Sequence, residues 1–433
     1  MSGIFTLIRY GLFAFPAAIA LLTMQVYLPT YLSQTSGLSF TLIGVIFLLA
    51  RLVDTISDPL IGYWSDRTPE RLGKRRIWLV VGTPIFLVIF YGLLFIPYTP
   101  VLLFAMLSLW YIAGTALIVP YYAWGAEIQS GYNQYTRFTS SRAIFGLLGS
   151  LAALILPTLI ITDNNIADTI ELSISLAAVS FVIALVFIYT VPNHTENVPE
   201  QTRLTSAFKV FKSGSLFNTL IFSQLVNGVA NALPATLFIL FCTHVLKAPD
   251  MVGPLLVLYF LMAAITIPIW GWAGNKWGKE NCWRVAMSVA AIVFMGTVFV
   301  DQSNVTLFVW ITIITGLMAG ADLNLPPSML ADLVDQDEQD NNSRRTGVYY
   351  AVWGTTSKLT FAIAIGIAFP LLDAGTFLST ATGVSTAEAA PIQDTASAIN
   401  PLWLTLIYAF IPACLKLLSV WSLRKYRIHH EIN

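Results

Sequence analysis

The feature that most constrains this chain is a series of apolar runs, each long enough to cross a bilayer. A helix needs about 20 predominantly apolar residues to span ~30 Å of hydrocarbon. Twelve stretches qualify, at approximately 9–32, 39–64, 77–97, 100–127, 140–162, 171–192, 214–246, 252–275, 282–300, 304–330, 346–372 and 399–423. Backbone polar groups in lipid must pair within their own segment, so each run is expected to be helical. Of 433 residues, 56% are hydrophobic and only 11% charged, against about 25% charged in soluble domains. The expected class is an all-α membrane protein. The first apolar run, Gly11 to Leu32, exceeds a signal-peptide core of about 7–15 residues and lacks a convincing cleavage site, so it reads as the first span.

Lys and Arg in short loops set the orientation. Arg67, Arg71, Lys74, Arg75 and Arg76 follow span 2, and Arg137 with Arg142 follows span 4. Arg203, Lys209 and Lys212 separate spans 6 and 7, Lys276, Lys279 and Arg284 flank the turn after span 8, and Arg344 with Arg345 follows span 10. The alternate loops carry only Lys247, beside acids such as Asp163, Asp301 and Asp373. Both termini are therefore expected on the cytoplasmic side of a cell (inner) membrane. The polar stretch 193–213 reads as a cytoplasmic linker between a six-helix bundle at 1–192 and a second at 214–433, and 373–398 as a long outer loop.

The two bundles look like repeats. Gly62-x-x-x-Asp66-Arg67 with Gly73-Lys74 recurs as Gly271-x-x-x-Asn275-Lys276 with Gly278-Lys279, each after its half's second span. Pro120 before Ala126-Glu127 recurs as Pro326 before Ala331-Asp332. Twelve spans in two parallel halves is the pattern of the major facilitator fold.

Inside these spans lie groups too polar for lipid. Arg51, Asp54 and Asp58 fall within eight residues of span 2. A charge at bilayer depth costs at least ~2.5–3.5 kcal/mol, and such groups are functional by default. Asp54 and Asp58 are i,i+4 and share one helix face. At roughly 5–6 Å two carboxylates repel by roughly 3 kcal/mol at an effective dielectric of 20. A basic partner, a proton or a metal cation must offset this, so the face reads as a cation site, with Na+ held by Asp54 and Asp58 if sodium is the ion. Arg51, three residues earlier, is a candidate counter-ion, as is Lys358 in Trp353-Gly-Thr-Thr-Ser-Lys358 of span 11. Other candidates for contacting a solute are Tyr121, Tyr122 and Trp124 in span 4, the stripe Gln224, Asn227, Asn231 in span 7, Asp322 in span 10, and Trp353 with Lys358. Asp66, Arg67, Glu127, Arg137, Arg142, Asp332 and Arg345 sit at corresponding helix ends, where a network of ion pairs could latch the cytoplasmic side.

Several classes are excluded or disfavoured. Net charge is zero and no nucleic-acid module is present. Cys242, Cys282 and Cys414 are odd in number and scattered in apolar sequence, which suits buried packing residues rather than a disulfide framework or metal site. No HExxH, GxSxG or His/Asp pair suggests an enzyme, and no cofactor is expected beyond a coupling ion, Na+ or H+.

Several blocks together resemble the glycoside–pentoside–hexuronide:cation symporter family. They are Asp54-x-x-x-Asp58-Pro59-x-x-Gly62 with Asp66-Arg67-Thr68 and Gly73-Lys-Arg-Arg76, and Pro120-Tyr121-x-Ala123 through Arg142. The third is Pro326-Pro327-x-Met329-Leu330-Ala331-Asp332 followed by Arg344-Arg345-x-Gly347 and Lys358-Leu359. The resemblance covers the whole chain. It implies sodium-, lithium- or proton-coupled uptake of a small molecule by alternating access, by a protein expected to be a monomer in the lipid bilayer. The family's coupling acids match Asp54 and Asp58, its cation-site threonine Thr115, its nearby lysine Lys358, and an arginine of the inner cavity Arg142. Ser57 stands where the family's sugar permease has an asparagine, and the permease's two sugar-contacting aspartates align with Ala18 and Ile118. The implied cargo is a sugar, glycoside or sugar acid, without the galactoside pattern. The alternatives are a non-sugar amphiphile such as a lysolipid, or a non-transporting membrane sensor.

Overall fold

A computed structural model describes residues 4–69, 73, 75–127, 132–161, 165–191, 215–341, 346–381 and 400–426. Every element among them is helical, and they form two units, Met1–Glu200 and Gln201–Asn433. The expected linker at 193–213 lies outside the described residues.

The first unit holds α1 (Ile4–Thr35), α2 (Phe40–Asp66), α3 (Arg76–Gly92), α4 (Pro100–Glu127), α5 (Tyr132–Ile160) and α6 (Ile166–Ile188). The second holds α7 (Ser215–His244), α8 (Val252–Trp277), α9 (Lys279–Met295), α10 (Val305–Asn341), α11 (Thr346–Ala381) and α12 (Pro401–Ser422). Ten of these runs are long and apolar enough to cross a membrane, while the apolar parts of α3 and α5, Arg76–Gly92 and Ser141–Pro157, are shorter. Large apolar side chains such as Val88, Val186, Ile265 and Ile292 stay exposed, as a lipid-facing surface requires.

Two helices are locally widened for an identifiable reason. Pro29 and Pro412 lack an N–H, so the carbonyls four residues earlier lose their helical donor. Each proline follows a π-turn, Thr23–Tyr27 in α1 and Leu406–Phe410 in α12. The expected outer loop at 373–398 is shortened, because α11 continues to Ala381; residues 382–399 lie outside the described set. The acidic run beginning at Asp332 likewise sits on a helical extension of α10.

The repeat read from the motifs is present in the packing. Within the first unit α2 packs on α4, α1 on α5 and α6, and α3 on α4 and α6. Within the second, α8 packs on α10, α7 on α11 and α12, and α9 on α10 and α12. Each pairing recurs six helices later. The α8–α10 contact is close because Gly316 and Gly320 face it. A Cβ on Gly316 would meet the Tyr259 carbonyl oxygen at 2.8 Å, and one on Gly320 the Ala263 oxygen at 2.7 Å. Thr266 and Trp270 on α8 both donate to the Leu317 carbonyl oxygen at 2.9 Å.

A carboxylate pair and a buried ion cluster

The packing of α2 against α4 brings the two predicted acids together on one hydroxyl. Thr115 Oγ1 lies 2.6 Å from Asp54 Oδ1 and 2.9 Å from Asp58 Oδ1. A threonine has one hydroxyl proton, so it can donate to only one carboxylate at a time. Arg51 Nη1 stands 3.1 Å from Asp54 Oδ2, with Asp54 almost fully buried, and the guanidinium lies 4.6 Å from the centre of the Tyr111 ring on α4. Ser57 is buried, and its hydroxyl donates to the Asp54 carbonyl oxygen at 2.8 Å. The site thus has oxygen donors from Asp54, Asp58 and Thr115, a hard set that suits a hard cation.

The aromatic cluster of α4 divides. Tyr121 and Trp124 are in the core rather than free to meet a solute. Tyr121 donates to the Tyr10 carbonyl oxygen at 2.9 Å, Tyr10 donates to that of Tyr121 at 3.1 Å, and their rings stack with centroids 4.6 Å apart. Tyr122 is exposed, with Arg142 3.8 Å from its ring centre.

In the second unit the polar stripe of α7 is largely consumed internally. Asp322 accepts from four donors, each on a side chain of the same unit. Asn227 Nδ2 (3.0 Å) and Trp283 Nε1 (2.6 Å) donate to Oδ1, and Asn231 Nδ2 (3.0 Å) and Lys416 Nζ (3.1 Å) to Oδ2. Lys416 also donates to Asn227 Oδ1 at 3.0 Å. Asn227, Asn231 and Asp322, expected to contact a solute, therefore serve one another. Gln224 stands apart, with its Oε1 buried and without a hydrogen-bond partner among the described residues. Trp353 packs against the apolar core of Trp283, Met287 and Leu330, and Lys358 is half-buried on α11.

No role was expected of Lys416 from the sequence. The signal was present, since Pro412-Ala-Cys-Leu-Lys416 sets a lysine inside an apolar span. Trp283 and Tyr111 carried no such signal, because aromatics in apolar sequence are unremarkable.

Of the expected latch, Arg67 is exposed and lies over the Tyr63 ring at 3.7 Å. Asp332 pairs with Lys279 at 2.7 Å. The side chains of Asp66, Glu127 and Arg137, and all of Arg345, lie outside the described residues. Cys242 and Cys282 are free and buried as expected, whereas Cys414 is free and exposed, because an apolar run does not distinguish core from lipid-facing positions.

A family model described as MFS/sugar transport protein matches residues 9–430. The inner membrane symporter YicJ of Escherichia coli (strain K12) is 25% identical, over 97% of this chain and 90% of that protein. The sodium-dependent lysophosphatidylcholine symporter 1 of Gallus gallus is 23% identical, over 80% of this chain and 74% of that protein. The crystal structure of a bacterial homologue of the human lysosomal transporter Spinster, 12% identical, superposes with a TM-score of 0.71 over 99% of both chains. That likeness speaks to the fold.

Proposed function

Because the chain belongs to the MFS/sugar transport protein family, we propose that it is a cation-coupled symporter for a sugar, glycoside or sugar acid. It is a multi-pass membrane transporter and not an enzyme. The observation that carries the coupling is the convergence of Asp54 and Asp58 on Thr115. Two carboxylates within reach of one hydroxyl repel strongly, and Arg51 compensates one of them. A monovalent cation or a proton bound between them lowers that repulsion. Asp54, Asp58 and Thr115 hold that ion, Ser57 is a further oxygen beside it, and Arg51 is the fixed counter-charge of Asp54.

Coupling follows from linkage. If the ion raises substrate affinity by some factor, the substrate must raise ion affinity by the same factor. The ion-loaded, substrate-loaded protein then exchanges between outward- and inward-open states. Both termini face the cytoplasm in this reading, since the basic loops lie on their side.

The family's description favours a sugar. The named activity of the Gallus gallus relative, at nearly the same identity as YicJ, supports a second reading in which the cargo is a lysolipid. Uptake into proteoliposomes decides both matters. Radiolabelled sugars, sugar acids and lysolipids are offered with and without an inward Na+ or proton gradient. A gradient-driven signal with one class, abolished by Asp58→Ala, is expected. Uptake indifferent to both cations, or undiminished by that substitution, refutes the proposal.

A further inference from the structure

The second unit contains an ion pair that the coupling scheme does not use. Asp322 on α10 and Lys416 on α12 are 3.1 Å apart, with side chains about one-tenth exposed. Around them stand Asn227 and Asn231 of α7 and Trp283 of α9. One carboxylate thus joins four helices, α7, α9, α10 and α12.

The corresponding four helices of the first unit, counted six earlier, are α1, α3, α4 and α6. Their junction is built of aromatic rings. Phe13 of α1 meets Phe181 of α6 at 5.3 Å between centroids, and Phe86 of α3 meets Phe181 at 5.9 Å and Trp110 of α4 at 5.3 Å. The same helical arrangement is therefore closed by apolar packing once and by an ionic cluster once. The architecture does not demand the charges, yet the charges present are matched. Four donors fill the acceptor sites of Asp322.

We infer that Asp322 and Lys416 form a mutually neutralising ion pair that fastens four helices of the second unit into one body and carries neither the coupling ion nor the substrate. An acid that must bind and release a cation needs oxygens that a cation can reach and leave. Asp322 has given both of its oxygens to fixed side chains. Removing one charge leaves the other buried without its partner, whereas removing both leaves neither uncompensated. The inference stands beside the coupling reading at Asp54 and Asp58 and uses it only to assign the ion elsewhere.

The test is a double-mutant cycle on the full-length protein, read as the thermal midpoint in detergent without substrate or added cation. Asp322→Asn and Lys416→Met are close in size to the residues they replace and remove the charges, and the Asn231 amide can turn its oxygen toward the new Nδ2. Each alone is expected to lower the midpoint by on the order of 10 °C. The pair together is expected to return to within a few degrees of the wild type. Additive losses in the pair, or failure of the pair to reach the membrane when a single variant does, overturn the couple. A single Asp322→Asn protein with a wild-type midpoint also overturns it. A second readout uses the paired variant, whose midpoint shift on adding Na+ is expected to equal that of the wild type. Loss of that shift in the pair alone makes Asp322 part of the ion site and overturns the inference. Its absence from the wild type as well counts against the sodium reading at Asp54 and Asp58, while the stability cycle still judges the couple.

Discussion

Asp58→Asn separates a cation site from a merely structural acid pair. The 2.6 and 2.9 Å distances to Thr115 Oγ1 mean that the two carboxylate oxygens are at most about 5.5 Å apart, the sum of the two. At an effective dielectric of 20 their repulsion is then at least roughly 3 kcal/mol. Arg51, 3.1 Å from Asp54, offsets part of this. Asparagine at 58 keeps the shape of the side chain, removes the repulsion, and removes one of two anionic ligands. In choline buffer at pH 8 the variant is therefore expected to melt higher than the wild type, by about 2–4 °C per kcal/mol for units of this size. With Na+ at a hundred times its dissociation constant, the wild type gains about 2.7 kcal/mol and the variant gains little. Asp54→Asn has a different signature. Asp54 is almost fully buried and paired with Arg51, and breaking a buried pair costs about 3–5 kcal/mol, so that variant melts lower in both buffers. The assay is a thermal-unfolding series on the three purified proteins in choline, Na+ and Li+. A sodium shift in Asp58→Asn equal to that of the wild type refutes the reasoning. So does a choline midpoint for that variant below the wild type's.

Three further outcomes follow from the same geometry. Thr115→Val removes a hydroxyl shared by two carboxylates, and a hydrogen bond to a charged group is worth about 1.5–3 kcal/mol. Cation affinity, measured by the Na+ concentration giving half-maximal uptake, should weaken by at least about tenfold, and Thr115→Ser should restore most of it. Gly320→Ala places a methyl 2.7 Å from the Ala263 carbonyl oxygen; forcing α8 and α10 apart should cost about 1–3 kcal/mol, seen as a midpoint several degrees lower. Lys279→Ala breaks a pair whose side chains remain partly exposed, so the midpoint should move by less than the equivalent of about 1 kcal/mol.

What was legible in the sequence follows the physics of the bilayer. Span length is fixed by hydrocarbon thickness, so ten apolar helices of spanning length could be read directly, while the apolar parts of α3 and α5 fall short of that length. The Asp54–Asp58 pair was legible because an i,i+4 spacing fixes which face both side chains share, and because carboxylates in an apolar run are costly enough to be conspicuous. Thr115 was found by resemblance alone, since nothing in its own span marks one threonine among apolar neighbours. Tyr121 and Trp124 were misread because a core aromatic and a solute-facing aromatic have the same sequence surroundings. Tyr121 is buried against Tyr10 of α1, whose ring in turn meets Phe138 of α5. The end of α11 was misread because its last turns, rich in Ser, Thr and Gly, have the composition of a loop.

The Asp322–Lys416 pair shows why partners are harder to read than sites. Each residue alone advertises a cost, but the sequence separation of 94 hides the compensation. An acid without an evident partner then reads as a place for a ligand, and Asp322 was assigned to the substrate on that ground. The distinction between the two acidic sites lies in the donors. Asp322 meets four donors on rigid helices, one of them a full positive charge, so its ionised form is satisfied before any ligand arrives. Asp54 and Asp58 converge on a single hydroxyl proton, and Arg51 pairs with Asp54. A carboxylate whose acceptor sites are filled by fixed donors locks helices together, whereas two carboxylates crowded on one hydroxyl repel each other and are relieved by an ion bound between them. That difference in donors, rather than the presence of acids in the membrane, is the ground on which coupling is proposed for the first unit and cohesion for the second.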